Sequence, residues 1–283
     1  MRYAVLSDIH SNLLGLELII EDALSRGIDK FIFLGDYVSD GYQDNEVISL
    51  VEQYGTYIVK GNREEVYLEL NAEKTEIIRG QKNDYENIKT LQYTINNLSV
   101  ESYDYLKKIP MELEFKINNK KILLTHGHKY LGNETELAKK ITNNGMYDLV
   151  LFGHTHMYID FEYSGTRFIN PGSAGMPCDT ASYKYGILTI GDEIEFELRE
   201  IPTADTFEQL ESEYKATRYF KENPEYGTLV LMEIRDGYPY VPDFIHRIRS
   251  FEVRDLNAYS KLWHEQFEIF YEKIKKEDNN IVW

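Results

Sequence analysis

Five short apolar runs in this chain each stop at a small set of polar residues. The runs end at Leu6, Leu34, Val59, Leu124 and Phe152. They are followed by Ser7-Asp8-Ile9-His10, Gly35-Asp36, Gly61-Asn62, Thr125-His126-Gly127-His128 and Gly153-His154-Thr155-His156. Nearly continuous apolar runs of this length are strands buried on both faces. Between the first runs lie helical patterns. Leu13, Leu16, Ile20, Ala23 and Leu24 recur at helical spacing after a capping Ser11 or Asn12, and a second helix spans about residues 45–54. Three βα units in the first sixty or so residues predict an α/β fold whose strands are largely parallel.

Beyond them, residues 64–108 are charged, rich in tyrosine and helical in period, and read as an insertion over the sheet edge. Met111 to Leu124 reads as a hairpin turning at Asn118-Asn119. A helix near 134–144 follows. Strands near 158–163, 167–169, 183–190 and 193–201 suggest a second, antiparallel sheet. Composition shifts at Pro202, dividing the chain into a main domain (1–201) and a C-terminal α/β extension (202–283). The extension is expected to hold a helix, a strand at Thr228–Arg235, a turn at Asp236-Gly237 and an amphipathic helix over about 257–276. Tyr259, Leu262, Trp263, Phe267, Phe270 and Ile274 share one face of that last helix, which is expected to pack on the main domain, with a homodimer contact as the alternative.

Composition narrows the function classes. The 283 residues carry 48 acidic against 31 basic side chains, a net charge of −17, which argues against a grip on long nucleic acid. One cysteine excludes an internal disulfide. No apolar run reaches the roughly 18 residues of a membrane span, and the first residues do not read as a signal peptide. A cytoplasmic location is expected.

Ligands of open α/β sheets bind beyond the carboxyl ends of the strands. Of seven histidines, five lie in the strand-end motifs, together with Asp8, Asp36 and Asn62. Mixed imidazole and carboxylate donors suit Mn, Fe or Zn better than Mg or Ca. Seven donors (Asp8, His10, Asp36, Asn62, His126, His154, His156) exceed the needs of one ion. They divide into two sites sharing a carboxylate, with ions about 3.5–4 Å apart, an arrangement suited to in-line displacement at phosphorus.

In order and spacing, Asp8-Ile9-His10, Gly35-Asp36, Gly61-Asn62-Arg63-Glu64, Thr125-His126-Gly127 and Gly153-His154-Thr155-His156 resemble the calcineurin-like metallophosphoesterases. Asn170-Pro171-Gly172-Ser173 resembles their compact bacterial and archaeal branch, and the resemblance covers about residues 1–200. It implies two mixed β-sheets packed face to face and flanked by helices. It implies Asp36 as the carboxylate bridging two ions, with Asp8, His10 and His156 completing one site and Asn62, His126 and His154 the other. It also implies attack on phosphorus by a metal-held hydroxide.

Many relatives place a histidine after Gly-Asn, where this chain has Arg63. An arginine cannot protonate a leaving group, although its fork suits phosphate oxygens. That tilts the expected substrate toward a small nucleotide phosphoanhydride, diadenosine tetraphosphate or a related dinucleoside polyphosphate. The bland alternative pairs Arg63 with Glu64 or Glu65. His128 has three readings: substrate contact, replacement acid, or support for His126. Tyr85, Tyr93, Tyr103 and Tyr105 are expected to fill the insertion, with base stacking as the alternative. Cys178 reads as a buried inert thiol. The competing functions are a broad phosphodiesterase for cyclic nucleotides or aryl esters, and a non-catalytic protein scaffold, whose mark would be lost ligands.

Overall fold

β1 (Arg2–Leu6) is the middle strand of one sheet, and every residue of it after Arg2 is buried. In the computed structural model, which describes residues 1–73, 85–130, 134–251 and 256–278, β1 leads into α1 (Leu13–Ser25). The Asn12 side chain caps this helix by accepting the Gly15 N–H at 3.0 Å. β2 (Phe31–Phe33), α2 (Asp44–Tyr54) and β3 (Gly55–Ile58) complete the parallel βα run, β1 pairing with β2 and β2 with β3. α3 (Asn62–Glu73), α4 (Tyr85–Asn97) and α5 (Val100–Lys108) follow; the part of the expected insertion over 74–84 lies outside the described residues.

β4 (Glu112–Ile117) and β5 (Lys120–Thr125) form the hairpin, with Asn118 and Asn119 at φ +48° and +63° as a tight turn of this hand requires. α6 (Glu134–Asn144), β6 (Leu149–Leu151), β7 (Tyr158–Tyr163) and β8 (Thr166–Pro171) come next, then the long hairpin of β9 (Ser182–Ile190) and β10 (Ile194–Pro202). Among the described residues the strands make two five-stranded mixed sheets, β10-β9-β1-β2-β3 and β4-β5-β6-β8-β7. The four late strands therefore do not form a sheet of their own. β9 runs antiparallel along the edge of β1 that β2 leaves open, while β8 pairs with β6. Alternation within a strand shows which side chains are buried and not which open edge the strand will complete.

Tyr3, Val5 and Ile32 of the first sheet meet Ile122, Leu124 and Leu149 of the second in one buried layer. The outer face of the first sheet is covered by α1, α2 and the C-terminal helices; that of the second is covered by α6.

After Pro202 the described chain is helical: α7 (Phe207–Ala216), α8 (Arg218–Glu222), α9 (Pro224–Asp236), α10 (Tyr240–Arg249) and α11 (Leu256–Asp278). The strand expected at Thr228–Arg235 is the body of α9. Its apolar residues are buried nearly all round, and such a run has no period to separate strand from helix. Its ends settle the matter: Pro224 stands in the first turn and Gly237 is a left-handed C-cap at φ +62°. Trp263 and Phe267 of α11 lie against Phe244 of α10, the Trp263 and Phe244 rings meeting edge-on at 4.7 Å. Leu229, Phe244 and Trp263 belong to the same apolar cluster as Leu16, Ile19 and Phe33. No described helix is long and apolar enough to cross a membrane.

A chain ending at Ile201 would expose that shared cluster, at roughly 25 cal/mol for each Å² of apolar surface uncovered. We expect it to aggregate and to lose cooperative thermal unfolding by circular dichroism. A soluble, cooperatively folded product would show that the helices add no stability.

Candidate metal centre

The five strand-end motifs meet at one edge of the sandwich. Eight of the eleven described non-glycine residues with positive φ lie in these loops: Asp8, His10, Ser11, Asp36, Ser39, Asp40, His154 and His156. Backbone of this kind costs about 1–3 kcal/mol per residue and persists where surrounding bonds over-determine it. Two glycines admit the close approach of neighbouring loops. A Cβ at Gly61 would lie 2.1 Å from Asp36 Oδ1, and one at Gly153 would lie 1.9 Å from Ser7 Oγ.

Glu64 holds the loops after β2 and β3 together. Its fully buried carboxylate accepts the N–H groups of Asp36 (2.9 Å), Tyr37 (2.7 Å), Val38 (3.2 Å) and Gly61 (2.7 Å). The last of these is the reach-back bond of a capping box, since Gly61 immediately precedes α3 and Glu64 is its third residue. The Gly-x-x-Glu spacing of residues 61–64 is the sequence signal for this role.

Two groups of donors converge: Asp8, His10 and His156, and Asp36, His126 and His154, the ligand atoms within each group lying within 4.8 Å of one another. His126 Nε2 is 3.3 Å from Asp36 Oδ2, 3.8 Å from Asp8 Oδ1 and 3.1 Å from Asn62 Oδ1. His156 Nε2 is 3.5 Å from Asp8 Oδ1 and 3.1 Å from His10 Nε2, and the latter lies 3.8 Å from Asp36 Oδ2. Asp36 thus faces histidines of both groups. The His154 N–H donates to the Asp8 carboxylate at 3.0 Å, and the His154 ring is exposed on the open side.

The opposite ring nitrogens fix the tautomers. His126 Nδ1 lies 2.8 Å from the Leu34 carbonyl and His156 Nδ1 lies 2.7 Å from that of Met176. A carbonyl oxygen only accepts, so both rings carry hydrogen on Nδ1 and present a bare Nε2 when neutral. Those lone pairs point at carboxylate oxygens and at another imidazole. Such a cluster needs positive charge at its centre, as protons or as metal ions. Burial alone would lower the His126 pKa, but the facing Asp36 and Asp8 carboxylates outweigh it and raise the value to about 9. His10 is likewise raised: burial works downward, and the hydrogen bond and charge of Asp40, with Asp36, work upward. Asp36 is held well below the usual carboxylate range by His126 and His10 in spite of burial. The donor set therefore fits divalent cations.

A third group, His156, Cys178 and Glu233, also converges. Its histidine belongs to the first group, and Cys178 Sγ is already 3.1 Å from Glu233 Oε1. Burial, then the charge of Glu233, pushes the Cys178 thiol up, so it is the inert sulfur the sequence suggested.

Arg63 pairs with neither Glu64 nor Glu65. Its guanidinium lies 3.1 Å from Asp40, and its backbone N–H donates to Asp36 Oδ1 at 2.9 Å. Glu65 instead takes His128 Nε2 at 2.9 Å and lies 3.7 Å from Lys129 Nζ. The His128 ring centroid is 5.6 Å from that of His126 and 6.1 Å from that of His154. Tyr93 meets Tyr219 edge-on at 5.1 Å and Tyr103 meets Tyr67 at 6.1 Å, which is packing; the side chain of Tyr85 lies outside the described residues. No motif in the sequence singles out Asp40. In the structure it is buried and bonded to His10 Nδ1 at 2.8 Å.

A two-sheet sandwich with carboxylates and imidazoles gathered at its strand ends is the architecture of a metallohydrolase. Residues 1–193 match the calcineurin-like phosphoesterase superfamily domain. An uncharacterized protein of Methanocaldococcus jannaschii, MJ0912, is 31% identical over 198 residues, covering 62% of this chain and 77% of its own length. Phosphodiesterase MJ0936 of the same organism is 28% identical over 203 residues, covering 71% of this chain and 98% of its own length. A metallophosphoesterase structure from Sphaerobacter thermophilus superposes with a TM-score of 0.57 at 23% identity, covering 75% of this chain and 94% of that one. The chain belongs to the calcineurin-like phosphoesterase superfamily, and is a hydrolase of that class.

Replacing Glu64 with alanine would strand four backbone N–H groups, each worth about 1–3 kcal/mol when left unpaired. We expect Glu64→Ala to lose at least about 3 kcal/mol in urea unfolding. A loss below about 1 kcal/mol would mean that water replaces the carboxylate.

Proposed function

We propose that this chain is a dinuclear metal-dependent phosphodiesterase acting on a small phosphodiester, with residues 1–201 as the catalytic domain and 202–283 as a C-terminal extension. Asp36 is the shared ligand, Asp8, His10 and His156 complete the first site, and Asn62, His126 and His154 the second. The observation that carries this reading is the convergence of bare imidazole nitrogens on Asp8 and Asp36 from both sides. Mn or Fe suits the donors best, with Zn next. When bound, two such ions acidify water and stabilise charge on the attacking and leaving oxygens.

The chain's own residues do the rest. Asp8 and Asp36 set the spacing of the two groups, while the Leu34 and Met176 carbonyls hold His126 and His156 in the ligating tautomer. His128, steadied by Glu65, contacts the substrate beside the second group. The lone thiol fits a reducing cytoplasm.

The anhydride preference expected from Arg63 loses its footing, because that charge is already neutralised by Asp40. Cleavage of a dinucleoside polyphosphate stays as the second reading, because 19% of the Arg63 side chain remains exposed beside the site. The deciding experiment is a panel of cyclic nucleotides, aryl phosphodiesters, mononucleotides and diadenosine tetraphosphate, assayed with Mn²⁺ and with products resolved. We expect diesters to be turned over fastest.

Asp36→Asn should lower activity at least about a hundredfold, in keeping with several kcal/mol of metal charge stabilisation. Near-normal turnover with two ions bound would remove Asp36 from its bridging place. Arg63→Ala should cost about tenfold in kcat/KM on diesters and anhydrides alike, the worth of the charge-assisted contact it makes with Asp40. A loss confined to the anhydride would favour the second reading.

A further inference from the structure

We propose that Asp40 and Tyr226 are positioning residues for the first metal site, so that the C-terminal helices form part of the metal centre and do more than cover the sheet. The proposal rests on the ligand assignment above. Asp40 is 1% exposed and holds a left-handed backbone at φ +64°. Its Oδ2 accepts from the Ser39 hydroxyl at 2.7 Å, from His10 Nδ1 at 2.8 Å and from the Arg63 guanidinium at 3.1 Å. Its Oδ1 accepts the Tyr226 hydroxyl of α9 at 2.6 Å, and its main-chain carbonyl accepts the Tyr214 hydroxyl of α7, also at 2.6 Å. Of the four side-chain donors around this carboxylate, three meet Oδ2 and Tyr226 meets Oδ1.

The bond to His10 decides what that ring can do. With Nδ1–H donated to Asp40, Nε2 is the bare nitrogen, and it is the one turned toward His156 and Asp36. Hydrogen bonding to a carboxylate orients a ligating imidazole and makes it more basic; losing such a partner lowers metal affinity about ten- to a hundredfold. His126 and His156 are held differently, by the main-chain carbonyls of Leu34 and Met176. Those carbonyls are fixed by the strands and loops themselves. The Asp40 carboxylate instead hangs on rotatable side-chain bonds and is held in place by its donors, of which Tyr226 is the one on Oδ1. Without that hydroxyl, a buried oxygen loses its partner. The carboxylate then turns to recover one and draws Oδ2 away from His10.

The resulting asymmetry can be measured on the full-length chain by Mn²⁺ titration calorimetry, with electron paramagnetic resonance reporting the coupled ion pair. Wild type should bind two Mn²⁺. Tyr226→Phe should weaken one site about tenfold and leave the other unchanged, and Asp40→Asn should weaken that same site by up to about a hundredfold. In both variants the coupled signal should emerge only at higher Mn²⁺. Tyr185→Phe is the control. It also removes a tyrosine hydroxyl, one bonded to Asp22 at 2.6 Å, and should leave both sites unchanged. A Tyr226→Phe isotherm matching that of Tyr185→Phe, or an equal weakening of both sites, would overturn the proposal with the dinuclear reading intact. A wild type that binds fewer than two Mn²⁺ would defeat the dinuclear reading, and this proposal with it.

Discussion

Four backbone N–H groups, from Asp36, Tyr37, Val38 and Gly61, point at one buried carboxylate, that of Glu64. Those groups belong to the loops after β2 and β3, which have no ladder partners of their own. Buried backbone donors must be satisfied, and here a single side chain satisfies all four. The conformation of Asp36, with its positive φ, is thereby fixed before any ion is considered. Gly61 must lack a side chain for Asp36 to fit against it, and the Arg63 N–H closes the loop onto Asp36 Oδ1. The site's geometry is thus a consequence of how the main chain is paid its hydrogen bonds.

Charge is arranged on the same principle. Asp8, Asp36 and Asp40 are all buried, which would be prohibitive for isolated carboxylates. Each has compensation at hand: His126 and His156 beside Asp8, His126 and His10 beside Asp36, Arg63 and His10 beside Asp40. The division of labour follows from the partners. Asp40 is satisfied by protein donors on every side. Asp8 and Asp36 instead face imidazole nitrogens that have no hydrogen of their own to give when neutral, a donor set that fits a cation. An overall charge of −17 does not disturb this, because salt screens surface charge over about 8 Å while the cluster sits in a buried, low-dielectric setting.

The C-terminal helices enter the site through hydroxyl groups and the core through rings. Tyr214 and Tyr226 reach Asp40 from α7 and α9, while Leu229, Phe244 and Trp263 extend the apolar layer that also contains Leu16 and Phe33 of the βα run. Packing against that layer is what brings the two hydroxyls within bonding distance of a loop nearly two hundred residues earlier in the chain.

The sequence by itself determined the strands of the βα run, the Asn118-Asn119 hairpin and the gathering of Asp8, His10, Asp36, Asn62, His126, His154 and His156 at strand ends. These are local: a buried run, a turn residue and the polar residues that follow a strand are set within a few neighbours of one another. The motifs that resemble calcineurin-like phosphoesterases are equally local, and the match over residues 1–193 is to that superfamily. What the tertiary structure decided is everything that depends on a partner far along the chain. Which sheet edge β9 completes was invisible, because alternation describes faces and not neighbours. That Thr228–Arg235 is helical was hidden by burial on all sides, which erases the period. Arg63 could be weighed against Glu64 and Glu65 because they adjoin it, whereas its actual partner, Asp40, lies in a loop that only folding brings near. Asp40 itself carries no local signature. Beyond its neighbour Ser39, its donors stand on three other segments of the chain, and no one segment contains that information.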